Sequence, residues 1–268
     1  MGAVDLVVEI VVGLLVGTVM GALGGGGGII AVPALVYLLH QEPAVATTTS
    51  LVIVGITSVV AVLQHARGGR VSWLDGVAFG VMGAAGALLG SRVAVHADPD
   101  LTMWLFAVLL LLVGGVMWRR SGVERRTDPE EVEDHRWLSL RPPRVDWGRA
   151  ALVLVVASAS GVLTGFFGVG GGFAIVPALT IVLGLPMGLA VGTSLLVILL
   201  NSATGVLGRL GTPLDLDWAL IAVFTTAAVV GSLVGERVGR RLDPRVLQRG
   251  FAVMLVLVAV YTGVSNLL

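Results

Sequence analysis

The stretch GTVMGALGGGGGIIAVPAL (Gly17–Leu35) is written a second time as GVLTGFFGVGGGFAIVPAL (Gly161–Leu179). Gly17, Gly21, Gly24, Gly26, Gly27, Gly28, Val32, Pro33, Ala34 and Leu35 recur in register, and only Val169 interrupts the second glycine run. No other feature limits the fold as much. A glycine inside a helix costs about 1 kcal/mol relative to alanine, yet both runs are flanked by long apolar segments. The chain has 268 residues, 56% hydrophobic and 13% charged, with a mean hydropathy of +0.97. A soluble domain of this length needs far more charge on its surface, so the expected fold class is an all-α polytopic membrane protein.

Composition also excludes several function classes. The formal net charge is zero, which gives no reason to expect nucleic acid as a partner. There is no cysteine, so disulfides, thiolate metal sites and cysteine nucleophiles are ruled out. No nucleophile–base pair and no cluster with metal-ligand spacing is evident, so an enzyme is not expected, nor a bound metal or cofactor. The start, MGAVDLVVEI, carries Asp5 and Glu9 without a basic n-region and reads as a retained first helix. Leu6 stands where N-myristoylation would want Ser or Thr.

Apolar segments run about Val4–Leu23, Ile29–Leu39, Ala46–Leu63, Trp73–Val95 and Leu101–Trp118, then about Ala150–Phe167, Phe173–Leu183, Leu189–Leu207, Trp218–Val238 and Val246–Leu267. Most have the length a spanning helix needs. Ile29–Leu39 and Phe173–Leu183 cover only about half the hydrocarbon core at 1.5 Å per residue. The repeat continues through Thr49–Leu51 and Thr193–Leu195, both Thr-Ser-Leu, and through GSRVAVHADP (Gly90–Pro99) and GERVGRRLDP (Gly235–Pro244). The expected organisation is a first transmembrane repeat over 1–118, a charged cytoplasmic linker over 119–149 containing Pro142-Pro143, and a second repeat over 150–268.

Arginine moves between equivalent loops. The loop after the third segment carries Arg67 and Arg70, and its counterpart carries Arg209 with Asp215 and Asp217. The next loop carries Arg92 with Asp98 and Asp100 in the first half, but Arg237, Arg240, Arg241, Arg245 and Arg249 in the second. Since cytoplasmic loops are enriched in basic residues, the halves are expected to be inverted relative to each other, with the linker inside and both termini outside. Inverted repeats are characteristic of transporters. The sequence leaves open five crossings per half, or three with the first two segments as a re-entrant hairpin, giving eight to ten helical segments.

A glycine run leading into a short helix presents unpaired N–H groups and the positive end of the helix dipole. Glycine lets an anion approach that backbone closely. Pro33 and Pro177 lack an N–H and should bend or loosen the short helices. The expectation is two glycine-led N-termini converging near the midplane on one anion site. Gly76, Gly80, Gly83 and Gly90 fall in one helical stripe and read as packing glycines instead. A phosphate loop is excluded because no Gly-Lys-Ser/Thr follows either run.

The polar residues next in line are Thr49, Ser50, Thr57 and Ser58, matched by Thr193, Ser194, Asn201 and Ser202. Ser50 and Thr57 share a helix face, as do Ser194 and Asn201. They could donate to an oxyanion without adding fixed charge, and Asn201 is the foremost candidate contact. Alternatively, the Thr-Ser pairs bond their own helix or join helices together. Glu9 is the main ionisable residue within the apolar segments, Asp75 sits at an interface, and His40 and His65 read as interfacial.

The paired glycine runs, the duplicated Thr-Ser-Leu and the Gly-x-Arg-Val ends resemble the TauE/SafE sulfite-exporter family over nearly the whole chain. That resemblance implies a multi-pass plasma-membrane permease of a bacterium or archaeon, embedded in the lipid bilayer and moving small sulfur-containing anions such as sulfite or organosulfonates. It places the translocation site at Gly24, Gly26, Gly27, Gly28, Pro33, Thr49 and Ser50, and at Gly168, Gly170, Gly171, Gly172, Pro177, Thr193 and Ser194; Thr57 and Asn201 join from the reading of helix faces. Val169 and the long charged linker depart from the family pattern. The function expected is alternating-access secondary transport. An anion channel or uniporter, a carrier of a non-sulfur anion, a non-transporting scaffold and assembly as a homo-oligomer are alternatives the residues leave open.

Overall fold

A computed structural model describes residues 3–23, 27–120, 138–140, 143–145, 147–170, 172–211, 215–239, 241–242 and 244–265. The first half holds α1 (Ala3–Leu23), α2 (Gly27–Pro33, continued by a π-helical turn at Ala34–Leu38), α3 (Pro43–Arg67), α4 (Trp73–Ala94) and α5 (Pro99–Arg120). The second holds α6 (Trp147–Phe167), α7 (Gly172–Ile181), α8 (Met187–Gly208), α9 (Trp218–Gly239) and α10 (Pro244–Ser265). Among the described residues six of these, α1, α3, α4, α6, α8 and α9, are long and apolar enough to cross a membrane. Much of the expected linker lies outside the described residues. Its described part includes a short antiparallel pair, β1 (Leu138–Leu140) and β2 (Pro143–Val145), with Ser139 opposite Arg144.

Helix directions can be read from the glycine contacts. Gly13, Gly17 and Gly21 of α1 meet Phe224, Ala228 and Ser232 of α9 in ascending order, so these two helices run the same way. Gly86 and Gly90 of α4 meet Ser158 and Val162 of α6 likewise, and Gly76 and Gly80 of α4 meet Leu196 and Leu200 of α8. By contrast, Gly55 of α3 faces Ser202 of α8 while Gly205 of α8 faces Leu51, so α3 and α8 are antiparallel. The Arg70–Glu236 ion pair brings the end of α9 to the end of α3. It follows that α1, α3 and α9 point one way, and α4, α6 and α8 the other.

This decides the question of five crossings or three. Since α6 and α8 run in the same direction, the chain between them must return across the membrane, and only the second glycine run and α7 are there to do it. Gly168 lies against Thr47 near the start of α3, and Gly170 lies against Val54 at its middle. The glycine stretch therefore crosses one half of the layer, and the ten residues of α7, about 15 Å long, cross the other. Parallel α1 and α3 require the same return through α2.

The pairings are reciprocal. The first helix of each half packs on the fourth helix of the other, α1 on α9 and α6 on α4, while α3 packs on α8 and α5 on α10. Antiparallel packing of the equivalent helices α3 and α8 is consistent with an inverted repeat. Arg67, Arg70, Arg119 and Arg241 fall on the face where the linker joins, and Asp98, Asp215 and Asp217 fall on the opposite, terminal face.

Close backbone approach holds the cross-repeat pairs together. A β-carbon on Gly17 would stand 1.9 Å from the Ala228 carbonyl oxygen, and one on its repeat mate Gly161 would stand 2.0 Å from the Gly83 oxygen. In lipid there is no hydrophobic drive between helices, so such van der Waals fit supplies the association. The stripe at Gly76, Gly80, Gly83 and Gly90 is packed in this way against α8 and α6, as expected. The spanning windows of α3 and α8 are 67% buried against 39% for α1, α4 and α6. The central pair is thus wrapped by a shell that presents Leu15, Val81, Leu89 and Val155 outward.

Gly17→Val should drive α1 from α9 and lower the stability of the detergent-purified protein by about 1–3 kcal/mol. Gly115→Val, where nothing lies within 4 Å, should leave the melting curve unchanged. Single cysteines at Gly69 and His96 should label from opposite sides of the membrane with an impermeant maleimide; labelling from the same side would contradict the crossing pattern.

Candidate functional site

The two glycine runs meet. A β-carbon on Gly28, at the start of α2, would lie 2.1 Å from the carbonyl oxygen of Val169, so the two repeats touch there backbone to backbone. The same glycine faces Val54 of α3, and Gly170 faces Val54 and, on α8, Ile198 and Ser202. These three residues lie near the middles of the antiparallel central helices, which places the contact close to the midplane. Gly24, Gly26 and Gly171, expected in the same site, lie outside the described residues.

Local geometry explains part of the glycine requirement. Gly168 and Gly170 have φ of +69° and +71°, a left-handed conformation that costs other residues about 1–2 kcal/mol. Gly27 is needed for space, since its β-carbon would fall 2.2 Å from the Val16 oxygen. Gly172 opens α7 and is buried. Pro33 ends the α-helical part of α2 by withholding an N–H, and the following turn is π-type, with the Leu39 N–H donating to Ala34 O at 3.1 Å. Pro177 sits inside α7. A groove of about 250 Å³ beside Pro33, against Leu257 and Val258, is lined almost entirely by apolar side chains and lies apart from the glycine contact.

The hydroxyls of the repeated Thr-Ser pairs have different fates. Thr193 Oγ1 accepts from the Ser72 N–H at 2.9 Å, and Ser194 Oγ donates to Val191 O at 2.7 Å. These two join helices and bond their own helix, the alternative role. Their mates Thr49 and Ser50 are equally buried, yet their hydroxyls have no hydrogen-bond partner. Ser50 stands about one turn from Val54 toward the terminal face, and Ser194 about one turn from Ile198 toward the linker face. Ser50 therefore lies on the stretch of α3 between Thr47 and Val54 that Gly168 and Gly170 follow. Thr57 Oγ1 and both carboxamide atoms of Asn201 are also buried without partners. Asn201 turns to α4, where a β-carbon on Gly83 would come within 2.9 Å of Oδ1.

Four residues outside the expected set matter. Ser202 and its repeat mate Ser58 carry buried, unpartnered hydroxyls, and Ser202 Oγ lies 3.8 Å from the β-position of Gly170. Both were visible in the repeat, but nothing in one dimension singles them out from their neighbours. Arg209 reads as a loop charge, yet it is 4% exposed. Its guanidinium donates to Thr47 Oγ1 at 2.7 Å and Thr48 Oγ1 at 2.5 Å on α3, and to Gly165 O at 2.8 Å on α6. Gly168 rests on Thr47, so this cation sits at the terminal-face entry to the second glycine run. Glu236, inside α9, is a buried carboxylate like Glu9 and Asp75, and it pairs with Arg70 at the linker face. His65, expected at the interface, is buried, with Nδ1 3.0 Å from Ala61 O.

Reciprocal helix pairing and two broken crossings that meet inside the layer define a multi-pass helical membrane protein. Residues 9–262 match the family described as Sulfite exporter TauE/SafE, and the chain belongs to that family. It is 34% identical over 265 residues to the "Probable membrane transporter protein" of Xylella fastidiosa (strain 9a5c), covering 96% of this chain and 94% of that one. It is 25% identical over 282 residues to the "Probable membrane transporter protein YunE" of Bacillus subtilis (strain 168), covering 98% and 100%. No solved structure matches it significantly.

Arg209→Ala should lower stability by about 2 kcal/mol or more, because charged hydrogen bonds to two hydroxyls and a carbonyl are lost. Arg209→Lys should restore only part of this, since an ammonium cannot reproduce the planar fork. Thermal unfolding of the purified variants checks both.

Proposed function

We propose that the protein is a secondary transporter of small oxyanions, sulfite or organosulfonates foremost, working by alternating access at the meeting point of the two glycine-led segments. The observation that carries this reading is the contact of Gly28 with Val169 beside the middles of α3 and α8. A broken crossing at membrane depth is tolerated where it is buried in protein or lines a cavity, and each break starts a short helix whose N-terminus favours negative charge. One break from each half, meeting near the midplane, is the arrangement that inverted-repeat transporters use for their substrates. Family membership and the names of the relatives support the same reading.

On this proposal the repeats are 1–118 and 150–268, and the linker 119–149 is cytoplasmic, with the termini outside the plasma membrane of a bacterium or archaeon. The site works through backbone N–H groups and hydroxyls rather than a resident cofactor or metal. Its partners are the anion and the bilayer.

Purified protein in sealed liposomes tests the mechanism. With a proton gradient imposed, sulfite, methanesulfonate or a related anion should accumulate against its own gradient. Flux that only equilibrates the anion would favour a channel or uniporter, and absence of flux for every anion tried would favour a scaffold.

A further inference from the structure

We infer that the hydroxyls of Ser202 and Ser58 are the side-chain ligands of the transported oxyanion, one from each repeat; this rests on the anion-transport reading above. Ser202 is 1% exposed and Ser58 0%, and neither hydroxyl has a hydrogen-bond partner. The buried hydroxyls of Thr49, Ser50, Thr57, Thr225 and Thr262 share this state, and Ser202 is set apart from them by its place beside Gly170. Thr47, Thr48, Thr164 and Thr204 all return their hydroxyls to a carbonyl three or four residues earlier, which is the easy solution for a buried hydroxyl without water. Ser58 and Ser202 do not take it.

Position supplies the rest of the argument. Ser202 Oγ lies beside Gly170, at the approach to the N-terminus of α7. The first N–H groups of that ten-residue helix have no partner within it, and the positive end of its dipole is directed at the same place. The Ser202 hydroxyl and the first amides of α7 therefore lie at the same break in the crossing, a volume closed on its other side by methyl groups of Val54 and Ile198, which a β-carbon on Gly170 would meet at 2.7 and 3.0 Å. Asn201, one residue earlier, is turned to Gly83 of α4, so it belongs to the packing of α8 on α4 and not to this volume.

The chemistry of these donors defines the ligand class. A hydroxyl and backbone amides suit an anion with several oxygen acceptors, such as sulfite or a sulfonate, and hold it without a fixed counter-charge. A hydroxyl can also accept, so it can pair with the O–H of a protonated oxyanion as well as donate to a bare one. Chloride, with one centre and no fixed geometry, gains least from donors arranged in this way.

Binding of sulfite, methanesulfonate and chloride to the full-length protein in detergent, measured by calorimetry, tests the assignment alongside thermal unfolding. The wild type should bind sulfite or methanesulfonate and prefer them to chloride. Ser202→Ala should weaken that binding by about tenfold or more, the loss expected for a hydrogen bond to a charged group. Its melting temperature should stay level or rise, because a buried hydroxyl without a partner is removed. Ser202→Thr, which keeps the hydroxyl, should recover binding, and Ser58→Ala should weaken it as Ser202→Ala does. Unchanged affinity in both alanine variants would overturn the assignment while leaving the transport reading intact. A fall in stability parallel to the loss of binding would mark a packing role and also overturn it. Failure of the wild type to bind any oxyanion would remove the transport reading and this inference together.

Discussion

In hydrocarbon, a backbone N–H or C=O without a partner cannot turn to water, and every unusual feature of this protein is a response to that constraint. An unbroken helix satisfies it alone. The second segment of each half does not, because a glycine stretch carries the chain through part of the layer before a short helix takes over. Such a segment is tenable only inside protein. Here α3 and α8 provide the interior, the shell helices cover them, and the two broken segments lean on each other where Gly28 meets Val169. The break and the central pair therefore depend on one another.

Glycine serves three physical ends in this chain, which a count of glycines would merge. At Gly17, Gly161 and Gly165 it lets one helix backbone settle on the carbonyl ridge of another, within about 2 Å of where a β-carbon would be. At Gly168 and Gly170 it supplies a left-handed φ that turns the chain along α3. At Gly28 it allows one repeat to touch the other. Among the described residues only the third brings one glycine run onto the other, and it is there that the anion reading applies.

Contacts between the repeats are closed at both faces, by different chemistry. At the terminal face Arg209 ties α8 to hydroxyls of α3 and a carbonyl of α6. At the linker face Glu236 of α9 holds Arg70. The repeat mate of Arg209 is His65, also buried, and the mate of Glu236 is Ser91. The duplicated scaffold thus carries unequal charges at its two ends, as a protein with an inside and an outside requires.

Much of the fold could be read without coordinates, because the relevant physics is local or additive. Hydropathy marks the spanning segments, the repeat marks the halves, and arginine placement marks the faces. Glycine in a row, which cannot serve a helix, marks the breaks. The rotation of each helix about its own axis could not be read, since it depends on neighbours far away in the chain. Asn201 shares a helix face with Ser194 in sequence, yet Asn201 turns to α4 while Ser194 returns to its own backbone. Thr49-Ser50 and Thr193-Ser194 are identical in sequence, but only the second pair finds partners, Thr193 because Ser72 lies beside it and Ser194 in the Val191 carbonyl of its own helix. Arg209 became an interior cation only when α3 brought Thr47 and Thr48 to it. The sequence by itself determined a duplicated helical membrane protein broken at two glycine runs. Tertiary structure decided that α1 packs on α9 and α4 on α6, and which polar atoms go unanswered, because those outcomes follow from close backbone contact between residues of opposite halves.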